Sequence, residues 1–268
     1  VSELTIFLLY LLAAAAFGAS RLPSYQKQGR SLLLAASALV ISGILVHSNA
    51  LYTTILIGSG FNLSVVNIIS MIGLELALIG LLAALEPALR GLSAGLLILG
   101  AIAAVITGLE DAPSVTAALD WHVRAHVLVS IMSYGLLTVG AIVAIYAMIQ
   151  ERRLHSKQLT SFSSLFAPLE TTEKLLFGIT AAGSTGLAIA ILLGLSFVEN
   201  LFAQHLAHKA VFSILALIVF GTLLAGRFIA GWRGRRAIKL YLGGFLLLCL
   251  AYFGVRLILE QILNRSWG

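Results

Sequence analysis

Apolar runs of about twenty residues recur along this chain, parted by short charged or proline-bearing segments, and roughly twenty helical residues are what a hydrocarbon core requires. Eight such segments are predicted, at about Leu4 to Ala19, Leu32 to Val46, Leu63 to Leu85, Leu92 to Leu109, Asp120 to Ile149, Leu176 to Val198, Ala210 to Ile229 and Lys239 to Ile262. Only 10% of the residues are charged and 60% are hydrophobic, with a mean hydropathy of +1.03. A soluble domain would carry about a quarter charged residues. The expected fold is therefore all-α, a polytopic membrane bundle of about eight transmembrane helices. No polar block is long enough for a folded domain outside the bilayer, so residues 1–268 are expected to form a single integral domain. The uncharged stretch Ser48 to Asn62 reads as an external loop, and Glu86-Pro87 with Arg90 as a tight turn, because proline ends helices. Leu159 to Leu176 mixes apolar residues with Ser, Thr and Glu, which suits a segment lying in the interface.

The net charge of +6 and pI near 9.7 raise nucleic acid as a partner. The cations, however, sit in short loops between spans, where they fix membrane topology instead. Counting alternate sides puts Arg124, Lys209, Arg256 and Arg265 on one face and the other 13 of the 17 Lys and Arg residues on the opposite one. The richer side is expected to be cytoplasmic, which places both termini outside. Trp232-Arg233-Gly234-Arg235-Arg236 on that cytoplasmic side reads as an anchor on anionic lipid. The single cysteine, Cys249, lies within the last apolar run and offers no thiol pair for redox work.

That topology sorts the histidines. His47, His122, His126, His205 and His208 fall at the outer boundary and only His155 at the inner one. Neutral imidazole is a strong ligand for iron, and two imidazoles on opposite faces hold a haem. His47 is expected to end the second span, His126 to begin the fifth and His208 to begin the seventh, so three helices offer ligands at one depth. His122 is four residues from His126 and shares its helix face; His205 is a fringe member. Asp120 is either the N-cap of the fifth span or an acceptor orienting a histidine. Two intramembrane charges stand out. Glu75, mid-span, is a protonated carboxyl bonded to a neighbouring helix's backbone, a proton or cation relay, or a partner for a ligand histidine. Arg256, in the last span, either snorkels to the surface or pairs with Glu75 or a propionate. In the sixth span Gly178, Ala182, Gly186, Ala190 and Gly194 recur every fourth residue, a stripe read as a close helix-packing surface.

Trp121 to Ile142, with His126 and Ser133-Tyr134-Gly135, resembles the characteristic helix of the CcsA cytochrome c assembly family, in which the matching histidine is an external haem ligand. Leu250 to Val255 resembles that family's final helix, and Val46-His47-Ser48-Asn49-Ala50-Leu51-Tyr52 its early external histidine segment. Within the wider CcsA/CcmC-like superfamily, the YpjD and HemX-like branch is more similar still, through Gln150-Glu151-Arg152, Pro168 to Leu176, His208-Lys209 and Gly231 to Arg236. The tryptophan-rich haem-handling loop of the synthases has no counterpart in Glu199 to His208, and Asn264-Arg265-Ser266-Trp267 stands where a synthase histidine would be.

Shared depth, the convergence of three helices and the resemblance together point to a multi-pass protein of the bacterial inner membrane that binds b-type haem near the periplasmic face, through His126 with His208 or His47. The resemblance implies haem handling or cytochrome maturation without the complete synthase reaction. Haem, the bilayer and other cytochrome-maturation or membrane subunits are the partners implied; nucleic acid is not. Two other classes stay open. One is a transporter or ion-efflux accessory using Glu75, and the other a non-catalytic scaffold that influences tetrapyrrole synthesis through its basic loops.

Overall fold

A computed structural model describes residues 2–57, 60–62, 64–106, 121–155, 168–197 and 207–251, and these are helical almost throughout. The helices are α1 (Ser2–Ala19), α2 (Gly29–Ile55), α3 (Val65–Ala84), α4 (Arg90–Ile106), α5 (Trp121–His155), α6 (Leu169–Phe197), α7 (Ala207–Ala230) and α8 (Gly234–Cys249). Six of them, α2 to α7, are long and apolar enough to cross a bilayer, and α1 is a shorter apolar helix. The chain is thus a polytopic helical membrane protein, as its apolar runs predict. It divides into two compact units, residues 1–120 with 152–175, and residues 121–151 with 176–268.

The first unit holds α1 to α4. In a bilayer both faces of a helix are apolar, so hydrophobicity alone does not choose the buried side; small residues that let backbones approach do. Ala13, Ala14, Ala36, Ala77, Ala84, Ala101 and Ala104 accordingly lie in the buried cluster, around Ile6, Tyr10 and Phe17 of α1. Leu4, Leu8 and Leu12, one helical turn apart, occupy the exposed face of the same helix. Gly100 packs against the backbone of Gly73, where an added Cβ would come within 2.9 Å of the Gly73 carbonyl oxygen. That contact brings α3 and α4 together, after the 3-10 turn Pro87–Leu89 that the proline predicts.

The α2–α3 connection differs from the loop expected over Ser48 to Asn62. Helix α2 runs on to Ile55, two further turns beyond His47. Residues 48–55 contain neither glycine nor proline, and the Thr53 and Thr54 hydroxyls bond back to the Ala50 carbonyl, at 2.8 and 3.0 Å. What remains is a minimal hairpin, with Leu56 paired to Phe61 and Ile57 to Gly60. The Asn62 N–H closes it on the Ile55 carbonyl at 2.8 Å, and the Ser64 hydroxyl caps α3 by accepting from the Asn67 N–H.

The second unit holds most of α5 and of α6, together with α7 and α8. Helix α5 continues past the predicted Ile149 to His155, because Gln, Glu and Arg favour helix even at its polar end. Similarly α6 begins at Leu169, within the segment expected to lie in the interface; residues 156–167 lie outside the described residues. The small-residue stripe of α6 faces a neighbour only in its second half, since Gly178 and Ala182 are exposed while Ala190 is buried. Ser133 of α5 lies over Gly186, and Leu137 lies where a Cβ on the neighbouring Gly183 would come within 2.8 Å of it. From α8 the Tyr241 hydroxyl donates to the Leu137 carbonyl at 2.8 Å, with its ring against Phe220 of α7.

The turn from α7 to α8 is more structured than a lipid anchor needs to be. Gly231 and Gly234 adopt φ of 64° and 58°, a left-handed conformation that favours glycine. They fold Trp232 back onto Gly226, where no side chain stands in the way, and its N–H donates to the Gly226 carbonyl at 3.0 Å. The Arg236 guanidinium covers the indole at 3.9 Å.

Candidate functional site

Among the described residues, each unit holds one histidine hydrogen-bonded to a neighbouring helix, and the two environments are chemically different. In the first unit His47 lies mid-helix on α2, only 1% exposed, rather than at the end of a span. Its Nδ1 is 3.2 Å from the Tyr10 hydroxyl of α1, and its Nε2 is 2.8 Å from the Ser70 hydroxyl of α3. A hydroxyl both donates and accepts, so this pair satisfies the ring in either neutral tautomer. The result is a buried polar rivet joining three helices. Nothing in the order of residues marks Tyr10 or Ser70 as its partners, since they lie 37 and 23 positions away.

In the second unit His126 stands on the second turn of α5, half-buried, with Nδ1 2.9 Å from the Ala190 carbonyl of α6. A carbonyl only accepts, so Nδ1 carries the proton. In the neutral ring the lone pair then belongs to Nε2, and a backbone carbonyl holding Nδ1–H is the arrangement that orients metal-bound imidazole. The sequence stripe that packs α6 against α5 therefore also seats this ring, because Gly194 lies beneath it.

The other candidates divide between those described and those beyond the described residues. His122 is exposed and stacks on Trp121, with ring centroids 3.7 Å apart, so the two histidines that share a face of α5 have separate surroundings. His208 is the second residue of α7 and belongs to the same unit as His126; its side chain is outside the described residues. Asp120, His205 and Arg256 lie outside them as well. Glu75 is buried at 4% exposure in the middle of α3, and neither carboxylate oxygen has a hydrogen-bond partner among the described residues. No group of three or more His, Cys, Asp or Glu side chains gathers as a metal site among those residues. That is compatible with haem, whose iron asks the protein for at most two axial ligands.

Comparison with known proteins establishes the family. The family model described as cytochrome C assembly protein matches residues 7–263. The inner membrane protein YpjD of Escherichia coli strain K12 is 32% identical over 246 residues, covering 88% of this chain and 90% of that protein. The cytochrome c biogenesis protein CcsA of Guillardia theta is 24% identical over 175 residues, covering 59% of this chain and 58% of that protein. An uncharacterised protein of Azospirillum brasilense is 32% identical over 141 residues, 52% of each chain. No solved structure matches significantly. With a match that runs from α1 to beyond α8, and a relative aligned over most of both chains, this polytopic protein belongs to the cytochrome c assembly protein family.

Proposed function

We propose that this protein binds a b-type haem in the inner membrane, toward the periplasmic face, with His126 and His208 as axial ligands, and that it handles haem for cytochrome maturation. The observation that carries the reading is the Nδ1–H of His126 donated to the Ala190 carbonyl, which presents Nε2 as the ligating nitrogen. Family membership supplies the chemical context, since relatives include named cytochrome c biogenesis proteins. His208 is the natural second ligand because it lies in the same unit at the start of α7, whereas both nitrogens of His47 are engaged by hydroxyls. Bound haem would supply a redox-active iron and a porphyrin able to be passed on. The residues around it would hold, orient and shield that group, with other maturation subunits as partners.

The test is the absorption spectrum of the purified protein. A Soret band that His126→Ala and His208→Ala each weaken supports the reading. A colourless preparation that also fails to take up added haemin overturns it. A second reading draws on Glu75, whose buried carboxyl, without a hydrogen-bond partner among the described residues, suits a proton or cation relay in a transporter. Ion flux into liposomes, abolished by Glu75→Gln while no haem is bound, would favour that reading. The remaining alternative, a scaffold acting through Arg233, Arg235 and Arg236, predicts co-purification of a soluble enzyme that is lost when those residues are neutralised.

A further inference from the structure

We infer that Gly194 is a positioning residue for His126, opening the Ala190 carbonyl to the imidazole and so selecting the tautomer that can ligate iron. The inference rests on the proposed haem-binding role of His126, and it adds a residue and a device to it.

In a regular helix the carbonyl of residue i accepts from the N–H of residue i+4, and the side chain at i+4 leans back over the preceding turn. Residue i+4 of Ala190 is Gly194. With no side chain there, the second lone pair of the Ala190 oxygen is reachable from the side, and the Nδ1–H of His126 takes it at 2.9 Å. A Cβ at position 194 would lie 3.0 Å from Cε1, 3.3 Å from Nδ1 and 3.7 Å from Nε2 of the same ring. The first two distances are tighter than ordinary contacts, so the ring must give by a few tenths of an ångström. That displacement stretches and weakens the bond to Ala190. Gly178, in the same stripe, has nothing within 4 Å of its corresponding Cβ position. The three atoms nearest a Cβ at 194 all belong to His126, so glycine there answers to the histidine.

The experiment compares Gly194→Ala with Gly178→Ala in the full-length protein, with two readouts. The first is the tautomer of His126 in haem-free protein labelled with ¹⁵N-histidine, assigned by the signal missing from His126→Ala. The expected result is a fixed Nδ1–H form in the wild type and in Gly178→Ala, lost in Gly194→Ala. The second is haem retention and the low-spin spectrum after loading with haemin. Gly194→Ala is expected to weaken retention by about 10- to 100-fold, the usual consequence of losing a group that orients a ligand histidine, and to shift the spectrum. Gly178→Ala should change neither.

A wild-type ring protonated on Nε2 overturns the inference even where Gly194→Ala fails to fold. So does a Gly194→Ala protein whose tautomer and spectrum match the wild type. If the wild type takes up no haem while the tautomer depends on Gly194, the haem reading falls and the positioning role stands.

Discussion

His47 and His126 are the same side chain in opposite chemical settings. In the first unit both ring nitrogens are tied to hydroxyls on other helices, so the imidazole is a structural crosslink. In the second unit Nδ1 is tied to a carbonyl that can only accept, which fixes the proton there and, in the neutral ring, puts the lone pair on Nε2. The difference teaches that the partner's chemistry, more than burial or distance from a helix end, decides where the proton and the lone pair of a membrane histidine sit.

The largest expected effect breaks the comparison outright if it fails. His126→Ala should lower haem retention by more than about 100-fold, beyond what losing a ligand's orienting group costs. It should leave melting nearly unchanged, because the ring is half-buried and its carbonyl partner keeps an intrahelical bond. His47→Ala should do the reverse. It orphans two buried hydroxyls and leaves a void, costing about 3 kcal/mol of stability, while the haem content of the folded fraction stays at the wild-type level. Haem titration and thermal unfolding followed by size-exclusion chromatography measure both. A folded His47→Ala protein with no haem would make His47 a ligand and erase the distinction.

Glycines beside the two rings extend the contrast at smaller cost. A Cβ on Gly73 would be 3.6 Å from Cε1 of His47, an ordinary contact, but 2.7 Å from the Ala103 Cβ and 3.2 Å from the Gly100 carbonyl oxygen. Gly73→Ala is therefore expected to push α3 from α4 and destabilise the first unit by about 2 kcal/mol, with haem spectra unaffected. This is the opposite of the pattern expected for Gly194→Ala. Matching phenotypes in the two variants would show that both glycines serve packing alone.

Much of the fold was legible in the sequence because the bilayer imposes a length that apolar runs reveal, and proline marks one of the turns, at Pro87. His126 was legible through its place at the mouth of an apolar helix, and the stripe from Gly178 to Gly194 through its period. The extension of α2 beyond His47 was not, since an uncharged stretch with Asn, Thr and Ser reads equally as a loop until its hydroxyls are seen bonding to their own helix. Nor were Tyr10 and Ser70, because long-range hydroxyl partners leave no periodic trace. The stripe itself was read only as packing; that its last member uncovers a carbonyl depends on which side chain of α5 arrives there.

The smallest effects probe how the His47 rivet is satisfied. Tyr10→Phe and Ser70→Ala each remove one hydroxyl and are expected to cost about 0.6 to 1.7 kcal/mol, the range for hydrogen bonds between membrane helices. Each single change leaves the neutral ring an escape. It can place its proton on the nitrogen that still has a hydroxyl to donate to, so that only a lone pair goes unmatched. In the double variant no such choice exists, and an N–H is stranded in an apolar interior. The pair should then cost more than the sum of the singles by about 1 kcal/mol. Thermal melts of the four proteins, run as a double-mutant cycle, give the coupling directly. Simple additivity would mean that the two hydroxyls act independently and that the ring does not redistribute its proton between them.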